Sequence, residues 1–140
     1  MKPNAILQLI FRVVIFAMIA WIVIGNFLDL PAAVGYAQSR GVPFAGFLVP
    51  LAQLMLGVAG VLIGLGRFPK VGLLLFMIFL AVVTPLMHPW WTMEEGFNKI
   101  IEVHSFQSNV MLFALLGTLL FADDFWPRSM RDWYATSQKG

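Results

Sequence analysis

Four apolar runs, each close to the length of a membrane crossing, limit what this chain can fold into. They cover about residues 5–28, 44–65, 71–87 and 103–122. A bilayer core is spanned by about 20 apolar residues in helical form. Backbone facing lipid must pair its N–H and C=O groups within its own segment, and in an open chain only a helix does so. The runs therefore predict four transmembrane helices. The fold expected is all-α, an integral membrane four-helix bundle forming a single domain over 1–140, with a short amphipathic segment between spans three and four. Composition agrees: 60% of the 140 residues are hydrophobic and 11% are charged, with a mean hydropathy of +0.85. A soluble domain carries about 25% charge.

Other classes fall away. The chain has no cysteine, which excludes a thiol–disulfide relay, an iron–sulfur cluster and thiolate zinc. A net charge of +2 does not point to nucleic acid. The first run is longer than the roughly 7–15 apolar residues of a secretory signal, so it reads as a retained span. With four spans the termini share a side with the Gly66–Lys70 turn. That side holds Lys2, Arg67, Lys70, Arg128, Arg131 and Lys139, and the other holds Arg40 and Lys99. Positive charge gathers on the cytoplasmic side. The expected location is thus the bacterial inner (plasma) membrane, multi-pass, with both termini cytoplasmic. Trp126, Trp133 and Tyr134 in the polar tail are candidate anchors to that surface.

Chemistry-bearing residues concentrate in the stretch 84–109. It contains both histidines, three of the seven acids (Glu94, Glu95 and Glu102) and two of the five tryptophans. His88 ends span three and His104 opens span four, so both are expected near the outer surface at similar depth. Thr84 lies one turn before His88. Gln107 shares a helix face with His104, and Asn109 follows. Residues 89–102 alternate apolar and polar types, with Trp90 and Trp91 as interface anchors at headgroup depth. Three readings of the histidines stay open. One is a polar helix–helix contact. The second is a site for a quinone or similar ring headgroup, with a histidine as proton carrier. The third is a haem or metal held by both histidines.

Span two carries Gly46, Pro50, Gln53, Gly57, Gly60 and Gly64 on one stripe. Gly57, Gly60, Gly64 and Gln53 are expected to serve helix packing, because small residues let backbones approach closely in lipid. Arg12 lies about 10 Å along span one at 1.5 Å per residue. It either snorkels to the headgroups or holds an anionic or carbonyl group inside the membrane. The loop 29–43, with Pro31, Gly35, Gly41 and Pro43, is expected to hold at most one helical turn. The chain shows no internal repeat and no low-complexity segment.

The order of these features resembles the DoxX family of small bacterial four-helix membrane proteins. The resemblance rests on Leu9-Ile10-Phe11-Arg12-Val13, on Gly41-Val42-Pro43, and on the glycine-rich run from Gly57 to Arg67. It also rests on His88-Pro89-Trp90-Trp91, Phe106-Gln107-Ser108-Asn109 and Leu116-Gly117, and it covers most of 7–122. Two places depart from the family pattern. A lysine often follows the glycine that ends span one, where this chain has Gly25-Asn26-Phe27-Leu28. A glutamate often precedes the glycines of span two, where this chain has Leu56. The resemblance implies a role near membrane redox chemistry, with one branch a subunit of thiosulfate:quinone oxidoreductase. Only Arg12, His88, Phe106 and Asn109 match family positions.

The function expected is therefore a quinone- or lipid-contacting subunit of a membrane redox complex, more a subunit than an enzyme by itself. Candidate ligand-binding residues are His88, His104, Gln107, Asn109, Thr84 and Arg12. One alternative is a structural or assembly protein without a ligand, which recruits a partner through its glycine stripe and the outer segment between spans three and four. Another is haem or metal binding through His88 and His104. Quinone is the first cofactor candidate and haem the second, and no metal site is assigned. Expected partners are membrane lipid and either another membrane protein or a second copy of the chain.

Overall fold

The computed structural model describes residues 3–122, so the tail residues Trp126, Trp133 and Tyr134 lie outside the described part. Four long helices form the body. They are α1 (Pro3–Leu28), α3 (Ala45–Leu65), α4 (Pro69–Met87) and α5 (Phe97–Phe121), and each is long and apolar enough to cross a membrane. The protein is an all-α, multi-pass membrane protein.

Helix α2 (Leu30–Ser39) departs from the expectation of at most one turn. Asp29 supplies the start: its side chain accepts the Ala32 N–H at 3.2 Å. Pro31 falls in the first turn, where a missing N–H costs nothing. The helix ends where Gly41 turns left-handed at φ 76°. Pro31 and Gly41 mark the two ends of a helix, and Gly35 lies within it.

Helix α5 also departs. It begins at Phe97, six residues before the expected 103. The amphipathic segment shrinks to a 3₁₀ turn at Trp90–Thr92 and an irregular link to Gly96. Residues 97–102 join the membrane helix, which moves Glu102 onto a helical face.

The tight α3–α4 turn makes these two helices antiparallel neighbours. Gly66 leaves α3 in the left-handed conformation at φ 65° and Phe68 enters α4 at φ 54°. Pro69 then starts α4 with its fixed φ.

Packing runs in the order α1–α3–α4–α5, and α1 and α5 do not pack on each other to a similar extent. The core lies around α3 and α4, from Leu56, Ala59 and Ile63 to Leu73, Phe76 and Leu80. Ile19 of α1 and Leu116 of α5 close it from either side. Leu56, at the position where the family pattern often has a glutamate, is 1% exposed. A carboxylate there would be buried among these side chains.

The glycine stripe faces α1 in antiparallel register. A Cβ added at Gly57 would sit 3.7 Å from Val23 Cγ1, at Gly60 2.7 Å from Ile19 Cγ2, and at Gly64 3.0 Å from Phe16 Cβ. From Gly57 to Gly64 the stripe is thus filled within the chain and is not a free surface for a partner. Gly72 of α4 plays the same part toward α3, because its Cβ would lie 2.8 Å from the Ala59 carbonyl oxygen. Gln53 is 8% exposed, and its Oε1 has no hydrogen-bond partner.

Candidate functional site

At the end of the bundle that carries α2, three charged or titratable side chains from three elements converge. Each is placed by a local break in the chain. Pro89 disfavours helical geometry for the residue before it, so His88 becomes the C-cap of α4, with its N–H on the Thr84 carbonyl at 3.0 Å. Arg40 is the C-cap of α2. Glu102 stands in the second turn of α5, which Gly96 begins.

Glu102 is 7% exposed. Its Oε2 meets His88 Nδ1 at 2.7 Å, and its Oε1 accepts a hydrogen bond from Arg40 Nη2. A carboxylate can only accept, so Nδ1 carries the proton. That leaves Nε2 of His88 for a further partner. Arg40 also donates to the Tyr36 hydroxyl at 2.9 Å, and its guanidinium lies 5.0 Å from the centre of the Tyr36 ring. Burial acts to lower the Arg40 pKa, but the Tyr36 hydroxyl and the Glu102 carboxylate outweigh it and raise the pKa. The arginine is held charged. A carboxylate removed from water is tolerated only with such partners.

Below this triad α4 and α5 enclose a groove of about 270 Å³. Leu80, Ala81, Thr84 and Pro85 form one wall, and Phe106, Asn109, Val110 and Phe113 form the other. Thr84 is 4% exposed, and its hydroxyl has no hydrogen-bond partner. Pro85 has no N–H to offer the Ala81 carbonyl one turn back. Phe106 also makes edge-to-face contacts with Trp90 and Trp91, at centroid distances of 6.4 and 6.0 Å. The Trp90–Trp91 pair is itself edge-to-face at 5.9 Å. Glu102, Phe106, Asn109 and Phe113 follow one another at helical spacing, so triad and groove share the α4-facing side of α5.

The expected site residues separate into four groups. His88 is in the triad, while Thr84 and Asn109 line the groove. His104 and Gln107 are exposed on α5, and His104 does not meet His88. The reason is helical phase: at 100° per residue, two steps from Glu102 turn a side chain about 200° away. Haem or metal ligation by both histidines of one chain loses its geometry with them. Among the described residues no three His, Cys, Asp or Glu side chains converge as a metal site. Arg12 is at the opposite end of the bundle, where it donates to the Gly64 carbonyl at 3.3 Å beside Gly66. There the cation caps the C-terminus of α3.

Arg40 was missed by sequence reasoning, and Glu102 was only one acid among three. One signal could have found the pair. Lys99 is one turn from Glu95 and takes it at 2.5 Å, which leaves Arg40 as the cation on that side for the remaining acids.

The family profile described as DoxX matches residues 7–89, more than half of the sequence. The chain belongs to the DoxX family. The DoxX match takes in α1 to α4, with Arg12, Arg40, Thr84 and His88. It stops before α5, so Glu102, Phe106 and Asn109 lie outside it, although the resemblance was expected to run through about residue 122. No curated protein and no solved structure matches the chain significantly.

Proposed function

We propose that this DoxX-family chain is a quinone- or lipid-contacting subunit of a membrane redox complex, and that contact is made in the α4–α5 groove. The observation that carries this reading is the Thr84 hydroxyl, buried and without a partner on the wall of an apolar groove. A buried polar group left unpaired costs about 1–3 kcal/mol. A ligand that brings a hydrogen-bonding oxygen to Thr84 recovers that cost.

Asn109 on the facing wall adds an amide donor and acceptor. A planar ring with carbonyl oxygens and an apolar tail matches this set: polar atoms between Thr84 and Asn109, tail along Leu80, Val110 and Phe113. His88 stands one turn above Thr84 with Nε2 not engaged by Glu102, so it supplies a third polar group at the groove's end. The redox part of the reading rests on the family resemblance. With the termini cytoplasmic in the inner membrane, the groove opens in the outer leaflet.

The test is extraction. The protein purified in mild detergent is expected to retain quinone in its organic extract. The Thr84→Val/Asn109→Leu variant, folded as judged by circular dichroism, is expected to retain about tenfold less. Retained phospholipid that is lost in the same variant selects the lipid arm. A wild-type extract with neither, or equal retention by both proteins, rejects the proposal.

A further inference from the structure

Helix α5 combines two properties that conflict in a lone chain. It is the least apolar of the four spans, yet it shares with α1 the smallest buried fraction. Helix α1 resolves its exposure simply, because it is strongly apolar and suits lipid. Helix α5 does not: only Glu102 and Leu116 along it are buried. His104, Gln107 and Ser108 are exposed, and no hydrogen bond to any of the three side chains is found among the described residues. Lipid tails offer no hydrogen bonds, so polar side chains in a span turn toward protein.

His104 and Gln107 belong to a regular seam, and Ser108 lies on its flank. His104, Met111 and Thr118 are seven residues apart, and Gln107 and Ala114 repeat at the same interval. All five are exposed. A seven-residue repeat with alternating steps of three and four is the pattern by which one helix packs along another. Ser108, Ala114 and Thr118 are small enough for close approach. The seam runs about 21 Å along the helix. It lies on the side of α5 turned away from Glu102, Phe106 and Asn109, so an occupant there leaves triad and groove untouched.

We infer that this seam is the interface with a second copy of the chain, with α5 packed in parallel on α5 about a two-fold axis normal to the membrane. The polar groups choose the occupant. A second copy inserted with the same topology brings the same residues to the same depth. The glutamine amide, the imidazole and the serine hydroxyl each donate and accept, so the seam is complementary to itself, as a two-fold interface requires. Gln107 faces Gln107 of the second copy, and the open α5 edge of the helix row is covered.

The absence of cysteine gives a direct test on the full chain in membranes. Single variants Met111→Cys and Ala114→Cys are expected to form disulfide-linked dimers on mild oxidation. Met18→Cys, exposed on α1, is expected to remain monomeric. Gln107→Leu in the Met111→Cys background should weaken association about tenfold. It is read as a lower dimer fraction at matched detergent and protein concentration, with helix content unchanged. Three results overturn the inference. The first is monomeric mass with no Met111→Cys linkage. The second is linkage through Met18→Cys equal to that through the seam. The third is a different protein, co-purified with monomeric chain, that cross-links to Met111→Cys.

Discussion

Glu102 accepts the Nδ1–H of His88 at 2.7 Å while its other oxygen takes the Arg40 guanidinium. One buried carboxylate thus ties the end of α4 and the end of α2 to the second turn of α5. The Glu102 side chain is 9% exposed, against 19% for Arg40 and 21% for His88. Breaking a buried ion pair from one side leaves the other charge without its partner and is strongly destabilising. Glu102→Ala is expected to cost about 3 kcal/mol, measured by thermal unfolding in detergent. Arg40→Met should cost less, because His88 still donates to the Glu102 carboxylate that this change leaves behind. In a double-mutant cycle the two losses should exceed that of the double variant by about 1–3 kcal/mol. Additive losses would mean that the pair does not hold the elements together.

Gly60 and Gly57 share a stripe but should respond differently to alanine. A methyl at Gly60 meets Ile19 Cγ2 at 2.7 Å, whereas at Gly57 it finds Val23 Cγ1 at an ordinary 3.7 Å. Overpacking of this kind costs about 1–3 kcal/mol, so Gly60→Ala should lower the unfolding midpoint and Gly57→Ala should not. Gly60→Leu is expected to prevent α1 from seating. The comparison is read by folded yield and unfolding in detergent.

Arg12 and Gly66 form one C-terminal cap, and the glycine should matter more. The single Arg12 bond to Gly64 is long at 3.3 Å, and Arg12 Nε is buried without a partner. Arg12→Met then loses about 1 kcal/mol or less. Gly66→Ala forces an L residue to φ 65° and pushes a methyl into the guanidinium, for about 1–2 kcal/mol from the left-handed backbone alone. Both variants should keep whatever ligand the α4–α5 groove retains, since the cap is at the other end of the bundle.

Thr84→Val should raise the stability of the ligand-free protein. The hydroxyl it removes is buried and unpaired, and valine keeps the shape at no polar cost, a gain of about 1 kcal/mol. A drop in the ligand-free unfolding midpoint would show that the hydroxyl already has a partner, and with it the observation behind the groove would fall.

How much of this could be read from the residues differs element by element. Four spans, the basic α3–α4 turn and the stripe of small residues at Gly57, Gly60 and Gly64 are legible because they depend on local hydropathy and on spacing within one helix. The site is less so. His88 and His104 look like partners in the sequence because both sit at span ends. Yet α5 starts at Phe97 rather than 103, and the turn of the helix, not distance along the chain, decides what faces α4. Glu102 is turned in and His104 out.

The sequence by itself determined that this protein carries four helices long and apolar enough to cross a membrane and that small residues form a stripe along α3, since hydropathy and spacing are properties of segments. Only the tertiary structure decided that Arg40 reaches Glu102 across 62 residues, that Thr84 and Asn109 share one groove, and that His104 and Gln107 are left on the outside. Those outcomes depend on helical phase and on which ends meet, and both are set by contacts between segments.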